Sequence, residues 1–409
     1  MTKHTGLFIF IIILFVYLFF AGRFKFSFPK TNRDYFTRLS YSFLQGRLDI
    51  PDPGYTPNDL SYYHGKYYLY WGPVPAMLLM PIIYLLGTNV SDILYTVLFG
   101  SINALLIYLL FLEFQIFNKL IISKSIILLL TLCFSLGTIH FYLSVLGTVW
   151  FTSQILTLTL YIISLFFLFK HLNKRNYSYA FLSIFFLGAS TLGKYTFLLS
   201  FPLHFGLLYK YNRLSYLNIV KLIMVFLVFI VMTLIYNYFR FGSVFSNGLT
   251  YMQVHSRFFQ DLQNLGYFNI NYIFRNIYYL FLIPLQFRIQ KPFILPDPNG
   301  NSIFYTTPIF ILLLYGAFKK YFYARKQMFY YLGITVLLML LPVLLYYGGG
   351  WYQWGYRYAL DVYPLLFLLL LLIINKYSNK VIFTLVTLSI LINLYGTLWM
   401  MEFAKHAYF

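Results

Sequence analysis

An all-α, polytopic membrane bundle is the fold class this sequence predicts, and composition, run length and charge placement each point to it. Sixty per cent of the 409 residues are apolar and ten per cent charged, with mean hydropathy +0.72. A soluble helical core of this size would need far more charged surface than 30 basic and 10 acidic residues supply. Apolar runs near the roughly 20 residues that cross a bilayer recur from end to end. The basic residues collect between those runs, as they do where they orient a membrane protein.

The elements follow in order. Residues 1–22 have a short basic start (Lys3, His4) and an apolar run that continues to Phe20, so an uncleaved first span over about 7–22 is expected. Residues 73–87 hold Pro73, Pro75 and Pro81 and are short for a crossing, which predicts a juxtamembrane or re-entrant helix. Ten further spans follow at about 93–113, 125–145, 150–169, 179–193, 195–210, 219–238, 303–318, 328–347, 358–374 and 381–400. Eleven spans in all place thirteen basic residues in short cytoplasmic turns, Lys119 to Lys380, against Lys194 and Arg357 in short external ones. The pair 179–210 is read as two short helices meeting near Gly193-Lys194, which keeps both flanking basic turns inside.

Three segments then lie outside: 23–92, 239–302 and the Gly-rich 348–358. The first is long, carries four of the ten acidic residues in its stretch 32–75 (Asp34, Asp49, Asp52, Asp59), and is too aromatic for a disordered linker. Asn32 is expected to cap a helix with Asp34 in its first turn. Phe36, Leu39 and Phe43 form its apolar face, with Arg38, Ser42 and Gln45 opposite, on the membrane surface. The chain forms a single membrane domain, 1–409, without internal repeats.

The net charge of +20 does not indicate nucleic acid, because the cations sit at span ends facing lipid headgroups. One cysteine, Cys133, excludes a disulfide framework, and seven histidines with no i, i+4 pair give a metal site no support. No cofactor is expected, and a divalent metal is left open.

Four stretches carry a family resemblance. They are Asp34 followed by Gln45-Gly46-Arg47-Leu48, GKYYLYWGPVP at 65–75, YNYFRFGS at 236–243, and WGYRYALDVYPL at 354–365. In that order and on one side, they resemble the GT-C superfamily of membrane glycosyltransferases, which includes protein O-mannosyltransferases and bacterial aminoarabinose transferases. The chain departs from many members in having a lone Asp34 rather than an acidic pair. It also lacks the C-terminal soluble domain of some. The resemblance implies a GT-C-like fold and a polyprenyl-phosphate-linked sugar donor. It implies transfer with inversion to a lipid, glycan or protein hydroxyl, at a site facing outward from a bacterial cytoplasmic membrane.

That chemistry needs a carboxylate to take the acceptor's proton. A phosphate leaving group departs already anionic, so fixed positive charge can replace the second carboxylic acid of glycoside hydrolysis. Asp34 is the candidate base, against a bland reading as a helix-start aspartate paired with Arg33 or Arg38. Lys66, Arg240 and Arg357 are the candidate phosphate ligands, against a reading as snorkelling cations; Lys194 and Asp52 are secondary candidates. Asp49 and Asp59 are assigned to turn chemistry among prolines, and Asp361 to a helical i, i+4 pair with Arg357. Two rival functions remain: a flippase for a lipid-linked sugar, and a polysaccharide polymerase or ligase using Arg240, Arg257 or Arg275.

Overall fold

The computed structural model describes residues 2–51, 53–54, 58–212, 214–289, 293–317 and 326–407. Asp52 lies outside the described residues, as do Arg213, Lys291, Lys319, Lys320 and Arg325. Helices α1 (Thr2–Ala21) and α2 (Tyr35–Leu44) lead to a hairpin of β1 (Leu60–Tyr63) and β2 (Lys66–Leu69), and then to α3 (Val74–Leu86). The bundle continues with α4 (Asp92–Phe117), α5 (Lys124–Leu136), α6 (His140–Leu146), α7 (Val149–Lys174), α8 (Tyr177–Gly193), α9 (Phe201–Asn212) and α10 (Tyr216–Phe241). Two short helices, α11 (Phe259–Leu265) and α12 (Tyr272–Ile277), and a two-residue ladder, β3 (Gln286–Phe287) with β4 (Ile294–Leu295), lie in the next excursion. The chain closes with α13 (Ile303–Thr306), α14 (Ile311–Ala317), α15 (Lys326–Leu345), α16 (Tyr363–Ile373) and α17 (Asn379–Ala407).

Among the described residues, seven helical segments are long and apolar enough to cross a bilayer: those of α1, α4, α7, α10, α15, α17 and Arg357–Lys376 around α16. The chain is a multi-pass membrane protein. Helices α5 and α6, bent by 51° at a short break, make an eighth if they act as one span. The remaining expected crossings are shorter or broken. Helix α8 has 17 residues, about 25 Å of rise, the 195–212 stretch is a 3₁₀ turn followed by α9, and 303–317 is split at Thr307-Pro308. Helix α3, with 13 residues, is short as its prolines predicted.

Helices α4 and α7 form the centre, flanked by α1 and α8. Helix α7 buries Tyr161 and Ser164 among apolar neighbours, and these polar groups knit the bundle. The Tyr161 hydroxyl meets Ser200 at 2.8 Å, and Ser164 meets both Ser183 of α8 (3.0 Å) and His204 of α9 (2.7 Å). Since one level of α7 touches α8 and α9 at 183 and 204, the chain reverses between them. It does so at Lys194, which is extended (φ −151°, ψ 119°), where two helices were expected to meet. Helix α10 is the opposite case: Met224, Leu227, Val228, Val231 and Ile235 are exposed, a surface suited to lipid.

Local chemistry corrects two expectations around α2. Asp34, not Asn32, is the N-cap residue, and its side chain caps nothing because it is turned toward cations. Phe36 and Leu39 are buried as the spacing required, but so is Ser42, because α2 packs on α3 and the bundle rather than lying free on the membrane. The hairpin was not anticipated. Its loop, His64-Gly65, has positive φ at both positions (46° and 77°), the signature of a two-residue turn matched to strand twist.

Gly72 joins this outer region to the bundle. A Cβ there would stand 1.9 Å from the Leu192 carbonyl oxygen, so only glycine lets the chain pass the end of α8. Gly72→Ala should therefore cost about 1–3 kcal/mol and lower the thermal midpoint in detergent. Gly333→Ala, in α15 with nothing within 4 Å of the added carbon, should leave it unchanged or raise it.

Candidate active site

The three segments expected outside the membrane bond to one another at one end of the bundle. Gln253 of the second accepts from the Asp59 N–H (3.1 Å) and donates to Leu60 O (2.8 Å), beside an isolated bridge between Ser61 and Met252. Ser61 Oγ donates to Gly248 O at 2.8 Å. The second segment then joins the third and the end of the span before it: Gln353 Nε2 donates to Asn299 O (2.7 Å), Asn269 N to Leu345 O (2.9 Å), Tyr347 N to Tyr267 O (3.0 Å), and Arg275 to Tyr347 O (2.7 Å). Backbone groups that leave the helices thus find protein partners, as buried polar groups must.

These seams enclose a cavity of about 310 Å³. Its charged and polar lining comes from all three segments and from the start of α7: Arg33, Asp59, Trp150, His255 and Arg357. Both guanidiniums lie against the Trp150 ring, Arg33 at 4.8 Å and Arg357 at 5.4 Å from its centroid. Arg33 reaches the Asp59 carboxylate at 3.5 Å. Tyrosines 70, 346, 347 and 358 complete the wall. The size and mixture, mostly aromatic with a few convergent polar groups, suit a small-molecule or headgroup site.

Asp59 is the carboxylate that faces this space. It stands just before β1 with φ +69°, a left-handed conformation that costs strain in any residue but glycine. Tyr352, on the same cavity wall, has φ +47°. The Asp59 side chain keeps 27% exposure, directed into the cavity, while protein crowds its other sides. That enclosure raises its pKa, and the Arg33 and Arg357 charges and a hydrogen bond with Trp150 only partly offset the rise. A carboxylate made more basic can take a proton from one group, while the Arg33 and Arg357 cations beside it stabilise negative charge on another.

A second cavity of about 240 Å³ shares Tyr70, Tyr346 and Tyr358 with the first and is otherwise largely apolar. Lys194 lines it, with its ammonium buried 2.6 Å from Asp361 Oδ2, and Thr196 donates to the same oxygen at 2.9 Å. Asp361 was expected to pair with Arg357. The segment Arg357–Val362 is a 3₁₀ helix, in which residues four apart stand about a third of a turn from each other. Arg357 therefore turns to the main cavity and Asp361 to Lys194.

Beyond Gly72 lies an open apolar groove of about 370 Å³, lined by Leu48, Pro73, Met77, Met80 and Met232, with Arg47 at its edge. Arg47 is paired with Asp49 at 2.6 Å.

The sequence candidates are thus divided. Arg357 lines the main cavity and Lys194 the adjoining one. Asp34 lines neither: it is 3% exposed, with Arg38 on one carboxylate oxygen (2.7 Å) and Lys30 on the other (3.2 Å). Lys66 is exposed on the hairpin, away from both cavities. Arg240 is 2% exposed and clamps the fold: it donates to Leu69 O and to Asn237 Oδ1 (2.9 Å) and lies 3.8 Å over the Tyr236 ring. Arg33, Asp59, Trp150 and His255 are the site residues that sequence reasoning passed over. Asp59 was hidden in a turn cluster, and nothing in linear order links it to Trp150. Among the described residues, no group of three or more His, Cys, Asp or Glu side chains gathers as a metal site. No family model and no curated protein matches the sequence.

The raised pKa carries a sign. The folded chain holds the Asp59 proton more tightly than the unfolded chain. The stability conferred by protonation is therefore present in acid and lost as pH rises through the folded value. Asp59→Asn cannot ionise and retains that stability. Its thermal midpoint minus that of the wild type should grow between pH 4 and pH 8. A gap that shrinks over this range would mean that the carboxylate is stabilised, not strained, in its ionised form.

Proposed function

We propose that this protein is a glycosyltransferase that moves a sugar from a polyprenyl-phosphate donor to an acceptor hydroxyl at the non-cytoplasmic face, with inversion. The observation that carries the reading is the meeting of Asp59 with Arg33 and Arg357 in one cavity at the end of a membrane bundle. Asp59 accepts the proton of the acceptor hydroxyl as its oxygen attacks the anomeric carbon. The new carbon–oxygen bond forms as the bond from that carbon to the phosphate oxygen breaks. The electron pair leaves with the phosphate, whose charge Arg33 and Arg357 offset, and no second acid is required. The apolar groove and the smaller cavity offer room for the polyprenyl chain on the lipid side. Asp34, closed off by its two cations, has the role of fixing the start of α2. The bundle of about eleven crossings and the GT-C-like architecture belong to the same reading. So do a bacterial cytoplasmic membrane and an outward-facing site.

The test is transfer from polyprenyl-phosphate sugars by the full chain in nanodiscs, followed by mass spectrometry of the products. Asp59→Asn should lower the rate by about 10²-fold or more. Asp34→Asn should reduce the thermal midpoint while leaving the rate per folded molecule within about tenfold, since it removes the ion pairs with Lys30 and Arg38 and not the base. The reverse ranking would return the catalytic role to Asp34. Movement of intact lipid-linked sugar between leaflets with no new glycosidic bond would replace the proposal by a flippase.

A further inference from the structure

We propose that Asp92 is a positioning residue for the cavity, acting through the two segments that carry Arg33 and Trp150. Asp92 opens α4 and is 2% exposed. Its Oδ1 accepts from the Thr31 N–H at 2.9 Å, and its Oδ2 accepts from the Thr31 hydroxyl and from the Thr148 N–H at 3.0 Å. Thr31 is two residues before Arg33, and Thr148 two residues before Trp150. Ser91 adds a third tie, donating to Pro29 O at 2.8 Å. One carboxylate thus fixes both backbones whose side chains meet in the cavity, where the Arg33 guanidinium lies on the Trp150 ring.

The turn it holds is strained. Gly147 and Thr148 both have positive φ (69° and 73°), and a β-branched residue in that region is a true outlier. Gly147 is also pressed on the start of α4, where an added Cβ would lie 2.9 Å from the Ile93 side chain. The bond from Thr148 N–H to Asp92 compensates a conformation the chain would otherwise leave. An amide at 92 keeps both Thr31 contacts by accepting from its N–H and donating to its hydroxyl oxygen, but sets its NH₂ against the Thr148 N–H. Asp92→Asn should therefore release the Thr148 segment, and with it the Trp150 ring under Arg33, at almost the same volume. Asp92 itself lines neither cavity, so its effect on the site is indirect.

The importance of this placement for transfer rests on the function proposed above, but the placement can be read without it. Asn58 lines the cavity, and the native Cys133 is buried. An Asn58→Cys thiol can therefore report the local potential through the ratio of its reaction rates with anionic and cationic thiosulfonate reagents. In the full chain, Asp92→Asn should lower that ratio by about threefold or more as Arg33 moves away. A Lys66→Cys thiol on the outer hairpin should show no change. Adding Thr148→Gly, which adopts positive φ freely, should restore the ratio and, with it, transfer. Should Asp92→Asn fail to accumulate, Thr31→Val removes only the hydroxyl donor and should lower the ratio by itself, with no repair by Thr148→Gly because the Thr148 bond is intact. An unchanged ratio in a variant that folds, or a loss in Asp92→Asn that Thr148→Gly does not repair, overturns the proposal. A lowered and rescued ratio in a protein that transfers no sugar, wild type included, supports the positioning role and removes the glycosyltransferase reading instead.

Discussion

Backbone that leaves a helix at a membrane surface must find hydrogen-bond partners, and in this chain the loops find them in one another. The first excursion adds its hairpin to residues 248–253 of the second, and the second pairs at 267–269 with the turn after α15. Main-chain bonds of this kind have fixed geometry, so they set how far Asp59, His255 and Arg357 can stand apart. The cavity exists because three segments remote in sequence are held together over the same end of the bundle.

Charge follows the same economy. In a region bounded by lipid, an unpaired buried carboxylate or guanidinium is costly, and most of those present are committed to a structural partner. Asp34 closes on Lys30 and Arg38, Asp49 on Arg47, Asp261 on Arg275, and Asp361 on Lys194. Arg240 spends its donors on Leu69 and Asn237 and its face on two aromatic rings. Against that background the Asp59 group differs. Its contact with Arg33 is long, at 3.5 Å, its surroundings make it more basic, and it opens on space rather than on packing. Strained backbone at Asp59 and Tyr352 on one wall is the kind of local cost that a fold retains at a working site.

The membrane class was legible because it rests on composition and run length, which need no coordinates. The break at Lys194 was legible too: as one long helix, 179–210 would put its two flanking basic turns on opposite sides, so two short helices meeting near Gly193-Lys194 were expected. Misreadings arose where one residue had two partners to choose from. Asp34 had the right neighbours on paper, but cations at both i−4 and i+4 enclose it. Asp361 was matched to Arg357 by α-helical spacing, whereas the backbone there winds with three residues per turn. The hairpin had a signal, YYHGKYY with an X-Gly turn between two tyrosine-rich runs, that outweighs helix in a short stretch.

From the residues alone come a multi-pass helical bundle, a set of segments between the spans rich in aromatics and charge, and the presence of Arg357 and Lys194 at the same end of the bundle as those segments. Periodicity and the cost of burying charge are local rules, and they act on consecutive residues. Which carboxylate faces which guanidinium is decided by contacts across gaps of dozens to hundreds of residues, such as Arg33 with Asp59 and Trp150 with Arg357. Only the packed chain sets those distances, because the register of the loop seams and the passage at Gly72 depend on every helix between them.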